Sequence, residues 1–302
     1  PHLNNRKIYH PRGKVLGGSS STNAMAYIRG QREDYDGWAA SGCEGWSYKD
    51  VLPYFKKSEH NEQFDNEYHA KNGLLNITQT HWFHTELGKA FIKACEEKGI
   101  PLNNDVNGAQ QEGAGWFQYT MKESKRMSAA KAFLVPALKR PNLTIMTNAV
   151  CQRISIEKDQ ATGIEFSSPI SNTLVARAKK EIIVCAGAFE SPKLLMLSGV
   201  GSKEELAKHR IEVKKELQGV GKNLHDHLFY PVSSLCSQPI SNNHYLPLHH
   251  QVIETVKYLF TKSGPLSIGP LEAVAFLKSS PELRRPDLQF QFTPTNSGNE
   301  KV

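Results

Sequence analysis

The chain has 302 residues, of which 39% are hydrophobic and 22% are charged, a composition typical of a folded globular protein rather than a disordered one. Its formal net charge is +7, but the basic residues are scattered, so the charge gives no support to nucleic-acid binding. The five cysteines form no Cys-x-x-Cys pair, which argues against a structural zinc site and favours a reducing compartment.

The first third of the chain predicts a loop followed by capped helices. Residues 11–23 are rich in glycine and serine and predict a loop. Ser47 and Asp50 have the spacing of a capping box, which predicts a helix that begins there. Residues 85–98 have apolar side chains at helical spacing, and Gly99 predicts the end of that helix.

The remaining elements predict a mixture of strands and helices. Residues 128–138 predict a helix, and short runs rich in β-branched and aromatic residues predict strands at 116–119, 143–146, 151–156, 163–166, 273–277 and 288–292. Residues 181–185 are apolar after the first, which predicts a strand buried on both faces, as in a parallel sheet.

Two segments carry chemistry. Gly17 and Gly18 leave room for the backbone to approach a flat or anionic ligand, although an ordinary turn has the same composition. After the predicted strand 181–185, Ser191 and Pro192 predict the N-terminus of a helix. Ligands bind outside the carboxyl ends of strands in open α/β sheets, but a strand–helix unit without a ligand has the same pattern.

These two segments, residues 11–30 and 181–201, resemble the signature regions of the glucose-methanol-choline oxidoreductase family. Residues 31–38, 140–144 and 219–227 are also similar to the family, in particular to its bacterial choline-dehydrogenase-like members. The resemblance implies a truncated α/β FAD-binding domain over residues 1–230. It also implies that residues 231–302 begin an α+β substrate domain with an antiparallel sheet.

The resemblance also implies which residues contact FAD. The matching residues between 12 and 26 correspond to the stretch along the flavin and the loop before it. Residues 150 and 151 correspond to positions near the adenine, and residues 186 and 187 to positions near the dinucleotide. These residues are Arg12, Val15, Gly17, Gly18, Ser19, Asn23, Ala24, Met25, Ala26, Val150, Cys151, Ala186 and Gly187. Thr22 stands where some relatives carry a histidine that links FAD covalently, so noncovalent FAD is implied.

The sequence departs from the family pattern at both ends. Family members begin with a strand and Gly-x-Gly-x-x-Gly, which is absent from this sequence. Their catalytic histidine pair lies near the C-terminus, and none of the twelve histidines here has a matching context, so we expect the catalytic residues to lie outside this chain. The sequence therefore has the features of an internal fragment.

Two further features are open to more than one interpretation. His225 and His227 share a face if they lie on a strand, but no third metal ligand is evident, so we expect no metal site. Glu272 resembles the carboxylate that choline-oxidising relatives hold against a quaternary ammonium, and Phe276 is a candidate for a cation–π contact. The alternative for Glu272 is a glutamate that faces solvent from a strand.

The resemblance implies an enzyme that oxidises an alcohol to an aldehyde by hydride transfer to FAD. Its partners are a small-molecule alcohol and an unidentified electron acceptor, without nucleic acid or metal. The location is expected to be cytoplasmic, with attachment to a membrane surface as the alternative. Three other functions stay open: an inactive FAD-fold remnant that only binds, an α/β domain for another nucleotide, and an interaction protein with a borrowed fold.

Overall fold

The computed structural model describes residues 2–5 and 7–295. The chain forms two compact units: Pro1–Pro141 together with Ser233–Val302, and Asn142–Val232. These units are defined by packing and not by ligand contacts, so the division at residue 230 into cofactor and substrate regions stays a prediction. No helix in the described part of the chain combines the length and the apolar character that a membrane span requires.

The helices are short and belong to both units. In the described residues they are α1 (Arg32–Ala40), α2 (Tyr48–Ser58), α3 (Glu86–Glu97), α4 (Val135–Ala137), α5 (Gly187–Leu197), α6 (Lys203–Lys208) and α7 (Leu248–Thr261). A π-helical turn, Ala130–Leu134, runs directly into α4, so the predicted helix at 128–138 is confirmed with narrower bounds.

Two predicted helix starts are confirmed by their capping contacts. The Ser47 side chain accepts from Asp50 N, and Asp50 Oδ2 accepts from Ser47 N, which completes a capping box at the start of α2. Thr85 caps α3 in the same way through a hydrogen bond from Gly88 N. Such caps satisfy backbone N–H groups that have no partner inside the helix.

The strands form several small sheets. They are β1 (Ala26–Tyr27), β2 (Glu59–Asn61), β3 (Leu75–Gln79), β4 (Gly113–Trp116), β5 (Gln118–Tyr119), β6 (Met121–Lys122), β7 (Lys125–Arg126), β8 (Val150–Glu157), β9 (Gln160–Ser168), β10 (Ser171–Arg177), β11 (Val200–Gly201), β12 (Lys215–Glu216), β13 (Ala273–Leu277) and β14 (Leu288–Phe292). The mixture of helices with antiparallel sheets agrees with the predicted fold class.

The first unit contains two sheets that share a core. One has the strand order β1–β5–β3–β2, and the other has the order β14–β13–β4 with antiparallel neighbours. The chain passes from the second sheet to the first at Phe117, which interrupts the predicted strand 116–119. Their apolar faces meet in one fully buried cluster of side chains, Val106, Phe117, Tyr119, Met121, Val274 and Phe276. Phe276 is therefore part of the core.

The second unit is built on the antiparallel meander β8–β9–β10. Strands β8 and β9 contain the predicted runs 151–156 and 163–166, which are confirmed, whereas β10 was not predicted. A short parallel pair, β11 and β12, follows α5. Ser198, just after α5, donates its hydroxyl to Leu194 O and accepts from Ile154 N, which ties the end of α5 to β8.

Three predictions in this unit are wrong. Residues 181–185 form no strand, and the Ile183 side chain is exposed, because no strand among the described residues pairs with this segment. Helix α5 begins at Gly187, so Ser191 and Pro192 lie inside it; the Ser191 hydroxyl accepts from Ala186 N instead of capping. Residues 143–146 have no regular structure.

Candidate functional site

The glycine-rich loop has a backbone conformation that favours glycine. Gly17 and Gly18 adopt positive φ angles of 89° and 54°. A Cβ atom at Gly13 would lie 2.3 Å from the carbonyl oxygen of Gly18, so these parts of the loop pack directly on each other. A Cβ at Gly18 would meet no atom within 4 Å, and the backbone therefore faces open space that a ligand can approach.

Most of the hydroxyls in this loop stabilise the loop itself. The Ser20 hydroxyl donates to Gly17 O and accepts from Ala129 N, and the Ser21 hydroxyl donates to Leu16 O. The exposed Ser19 only accepts, from Gly13 N, so its proton stays available for an anionic ligand. Of the serines in the loop, Ser19 therefore fits the predicted contact with a cofactor best.

The stretch after the loop is held in a strained conformation. Met25 has a φ of 65°, which L-residues rarely adopt, and its carbonyl accepts from Thr120 N at 2.8 Å. Asn23 Oδ1 accepts from Met25 N at 3.1 Å and from Arg126 Nη1 at 2.7 Å. Strain that the surrounding structure maintains is common at ligand-binding sites. The predicted flavin-facing residues Asn23 to Ala26 lie in this stretch.

The other predicted residues of the first unit lie along the same loop. Arg12 and Val15 are exposed, while Ala24 and Ala26 are half-buried. The structure therefore brings the predicted residues from Arg12 to Ala26 together on one continuous loop and strand. Their contact with a cofactor stays a prediction.

The second unit contains the predicted residues Val150, Cys151, Ala186 and Gly187. Val150 begins β8 and is exposed, and Cys151 is half-buried beside it. Gly187 begins α5 at a φ of 92°, and a Cβ there would meet no atom within 4 Å. The first N–H groups of a helix lack internal partners and favour an anion, so this helix start fits a dinucleotide phosphate.

Glu272 is fully buried at the N-terminus of α3. Its Oε1 accepts from Thr85 N and its Oε2 from Thr85 Oγ1, both at 2.6 Å. A Cβ at Gly88 would lie 2.7 Å from the carboxylate carbon. The alternative of a glutamate facing solvent is therefore wrong, because the positive end of the helix holds this charge inside the unit. Its role toward a substrate stays a prediction.

A histidine lies beside this carboxylate. His84 Nδ1 is 3.7 Å from Glu272 Oε1, a distance too long for a hydrogen bond, and the His84 ring stacks on Trp116 with 3.6 Å between centroids. His84 Nδ1 is buried without a hydrogen-bond partner. The neighbourhood of Glu272 therefore combines a carboxylate, an imidazole and an aromatic face.

The histidines at 225 and 227 do not lie on a strand, and both are exposed. Within residues 2–5 and 7–295, no group of three or more histidine, cysteine, aspartate or glutamate side chains is arranged to hold a metal ion.

The sequence did not reveal a network of buried charges in the first unit. We call this network the buried ring. Its charged members are Arg29, Glu59, His69 and Asp105. They come from four separate segments and have no common spacing, so only the tertiary structure reveals them.

Comparison with known proteins gives both a family and its relatives. A family model described as GMC oxidoreductase matches residues 1–229. The chain is 43% identical to the oxygen-dependent choline dehydrogenase of Rhizobium etli and 42% identical to that of Sinorhizobium fredii, each over 97% of this chain and 53% of the relative. The chain thus spans about half the length of the curated relatives it matches.

Solved structures share the fold. An FAD-dependent oxidoreductase from Chaetomium thermophilum matches with a TM-score of 0.80 and 27% identity over 91% of this chain and 50% of that one. A formate oxidase matches with a TM-score of 0.78 and 27% identity over the same shares. The family model covers most of the chain, and the family consists of FAD-dependent flavoproteins. This chain belongs to the GMC oxidoreductase family.

Proposed function

We propose that this chain is the cofactor-contacting part of an enzyme that oxidises an alcohol to an aldehyde with FAD, and that choline is its substrate. The observation that carries the proposal is the 43% identity to an oxygen-dependent choline dehydrogenase over 97% of the chain. The geometry of the loop supports it, because the strained stretch at Met25 and the open space beside Gly18 suit a flat ligand.

The residues present fit noncovalent FAD. Gly18 and Ser19 leave backbone and a hydroxyl proton open to a ligand, and the start of α5 at Gly187 offers N–H groups to phosphate. Thr22 has no imidazole nitrogen for a covalent link. When bound, FAD would supply the acceptor for a hydride from the alcohol carbon, and the protein's part is to hold and orient it.

Glu272 is the proposed partner of the choline cation. A buried carboxylate attracts a quaternary ammonium most strongly where water is excluded, and Glu272 is only 1% exposed. The hydrogen bonds from Thr85 N and Oγ1 fix the direction of the carboxylate. Because a quaternary ammonium has no N–H group, the attraction is purely electrostatic.

The cofactor proposal is tested by loading the purified protein with FAD and measuring flavin content before and after acid precipitation. This sequence has no Gly-x-Gly-x-x-Gly loop, so we expect it to hold FAD weakly, and we expect the FAD that binds to be released into the acid supernatant, since Thr22 forms no covalent link. Flavin that stays with the precipitate would contradict the noncovalent assignment. Absence of flavin binding at any concentration would favour the alternative of an FAD-fold remnant that acts only as an interaction module.

The substrate proposal is tested with Glu272→Gln, which removes the charge and keeps the shape. In FAD-loaded protein we expect roughly tenfold to hundredfold weaker affinity for choline and little change for its neutral isostere dimethylbutanol. Thr85→Val is the control that keeps the anion, because it removes only the hydroxyl that donates to Glu272 and caps α3. Equal losses for both ligands would remove Glu272 from the substrate site.

The electron acceptor and the location belong to the same proposal. We infer a cytoplasmic enzyme, with a membrane-surface location as the alternative, that transfers two electrons from reduced flavin to oxygen, a quinone or another protein. Fractionation of cells that express the protein and dye-reduction assays with and without oxygen distinguish these cases. Recovery only in the membrane fraction would exclude the cytoplasmic location.

A further inference from the structure

The buried ring contains a histidine between two carboxylates. His69 is completely buried, its Nδ1 lies 2.9 Å from Glu59 Oε1, and its Nε2 lies 3.0 Å from Asp105 Oδ2. Arg29 Nη2 donates to Glu59 Oε2 at 2.6 Å. The two cations and two anions balance, which is the condition under which buried charges are tolerated.

The geometry favours an imidazolium at His69. Ionised carboxylates only accept hydrogen bonds, so both ring nitrogens must donate. Asn61 Nδ2, 3.2 Å from Nδ1, is itself a donor and is directed at Glu59 Oε1 at 2.9 Å. Burial by itself lowers the pKa of His69, but the hydrogen bonds and charges of Asp105 and Glu59 outweigh it and raise that pKa.

Hydrogen bonds connect the buried ring to β1, the strand that begins at Ala26, the last residue of the predicted flavin-facing stretch. Asp105 Oδ1 accepts from Gln118 Nε2 at 2.9 Å and from Asn107 N at 3.2 Å. The Asn107 side chain in turn donates to Tyr27 O at 3.0 Å and accepts from Arg29 N at 2.7 Å. Gln118 lies on β5, whose pairing with β1 fixes Ala26 and Tyr27.

His69 is the member of this ring whose ordinary pKa lies closest to neutral pH. Loss of its proton leaves Glu59 and Asp105 with one donor fewer between them and breaks the link from Arg29 through Glu59 to Asp105. Met25 directly precedes Ala26 of β1 and packs against the core cluster that contains Tyr119, so a change at β1 reaches it.

We propose that His69 is a positioning residue, which as an imidazolium between Glu59 and Asp105 holds Asn23 to Ala26 in the conformation that receives the flavin. The proposal rests on the proposed function in treating this stretch as flavin-facing. His69 touches neither this stretch nor a cofactor, and it acts through Asp105, Asn107 and Arg29.

A proton can reach His69 through Asp105. The Asp105 side chain is 19% exposed and lines a cleft of about 370 Å³ together with Asn66, Tyr68, Asn103 and Glu112. The other groups that face His69 are Glu59, backed by Arg29, and the Phe64 ring at 5.4 Å between centroids. Glu59 and Asp105 favour the imidazolium, and Arg29 balances the charge of Glu59.

The test follows the methionine methyl signals of the purified protein by NMR between pH 5 and pH 9, without added cofactor. We expect the Met25 methyl to titrate with the same midpoint as the His69 ring in wild type and to lose that titration in His69→Gln. His81→Gln, which changes an exposed histidine of the same unit, should titrate as wild type. Met196, in the second unit, should show no such titration in any variant.

A second arm measures FAD affinity in the same proteins. A coupling of one pKa unit equals a factor of ten, so we expect wild-type affinity to weaken about tenfold as pH rises through the His69 midpoint. His69→Gln should bind about tenfold more weakly at pH 6 and show no such dependence.

The outcomes separate the two proposals. The positioning role would be overturned if the Met25 signal did not change through the His69 titration. It would also be overturned if the Met25 signal showed the same pH dependence in His69→Gln. If Met25 follows His69 but FAD fails to bind at every pH, the positioning role holds and the proposed function fails. If FAD binds with a pH dependence that His69→Gln retains, His69 does not position the flavin-facing stretch.

Discussion

His69 and His250, both in the first unit, have opposite environments. His69 lies in the buried ring between two carboxylates, which raise its pKa. His250 lies at the start of α7 with the His244 and His249 rings 4.3 Å and 4.2 Å away between centroids. Partial burial, followed by repulsion from His249 and His244, lowers the pKa of His250, while Glu254 acts in the opposite direction.

The difference shows that the partner of a histidine decides the sign of its effect on stability. A histidine that gains carboxylate partners on folding stabilises the fold in its charged form. One that gains other histidines destabilises the fold when it is charged. Histidine therefore makes one region of this unit more stable at low pH and another region more stable at high pH.

The largest loss of stability is expected from the removal of Arg29, which tests whether the buried ring stabilises the unit. Arg29→Met takes away the cation beside Glu59 and also the guanidinium that lies 5.1 Å from the centre of the Phe55 ring. Loss of one partner of a buried pair leaves an uncompensated charge, so we expect the free energy of unfolding to fall by about 3–5 kcal/mol. Urea denaturation at pH 6 measures it.

The control for Arg29 is an ion pair on the surface. Lys208→Met removes the partner of Glu205 on the exposed face of α6, where the two side chains are 2.8 Å apart. Exposed pairs contribute little, so no measurable change is expected. A loss in Arg29→Met as small as that in Lys208→Met would show that the buried ring does not stabilise the unit.

The next effect is a loss of stability at alkaline pH. The folded-state pKa of His69 is raised above the ordinary value of 6.5, so its contribution is complete below pH 6.5 and disappears as pH rises through the raised pKa. The pKa of Glu59 is lowered: burial opposes this, but the His69 hydrogen bond and the Arg29 charge prevail. Its contribution is therefore present above pH 4.5 and is lost as pH falls through the lowered pKa.

The measurement is the free energy of unfolding as a function of pH. Wild type should lose stability from about pH 6.5 upward, whereas His69→Gln should be less stable at pH 6 and flat above it. His81→Gln should follow wild type, because that histidine is exposed. An alkaline loss of equal size in wild type and His69→Gln would assign the effect to another group.

The elements that could be predicted from the sequence are those whose signals are local. The caps at Ser47 and Thr85 depend on contacts three residues apart, and β14 depends on alternation within five residues. Residues 181–185 failed for the opposite reason. An apolar run becomes a strand only where another strand pairs with it, and the composition of the run says nothing about that neighbour.

The candidate site was predicted in part. The resemblance located the segment 11–30, and the structure then showed its strain at Met25 and the use of its serines within the loop. Glu272 was identified as a charge of interest, but its burial against Thr85 depends on a contact between distant segments. The buried ring was missed because each of its pairs joins segments that the sequence does not relate.

The smallest expected effect is a loss of stability at acid pH caused by His250. His249 and His250 lie in the first turn of α7, where the helix dipole also disfavours a positive charge. Because the folded-state pKa of His250 is lowered, the fold loses stability as pH falls from 6.5 through that lowered pKa. Wild type should therefore show a small acid-side decrease in melting temperature that His250→Gln reduces.

The direct measurement is the titration of the His250 ring by proton NMR. His249→Gln removes one neighbouring charge and keeps a side chain of similar size, so the His250 midpoint should move up toward 6.5. A further His244→Gln substitution should move it again, because His244 is the other ring in contact. The His69 midpoint should stay unchanged in both variants, since its partners are Glu59 and Asp105. A His250 midpoint that ignores both substitutions would show that partial burial alone lowers its pKa, and the contrast with His69 would then be one of solvation and not of charge.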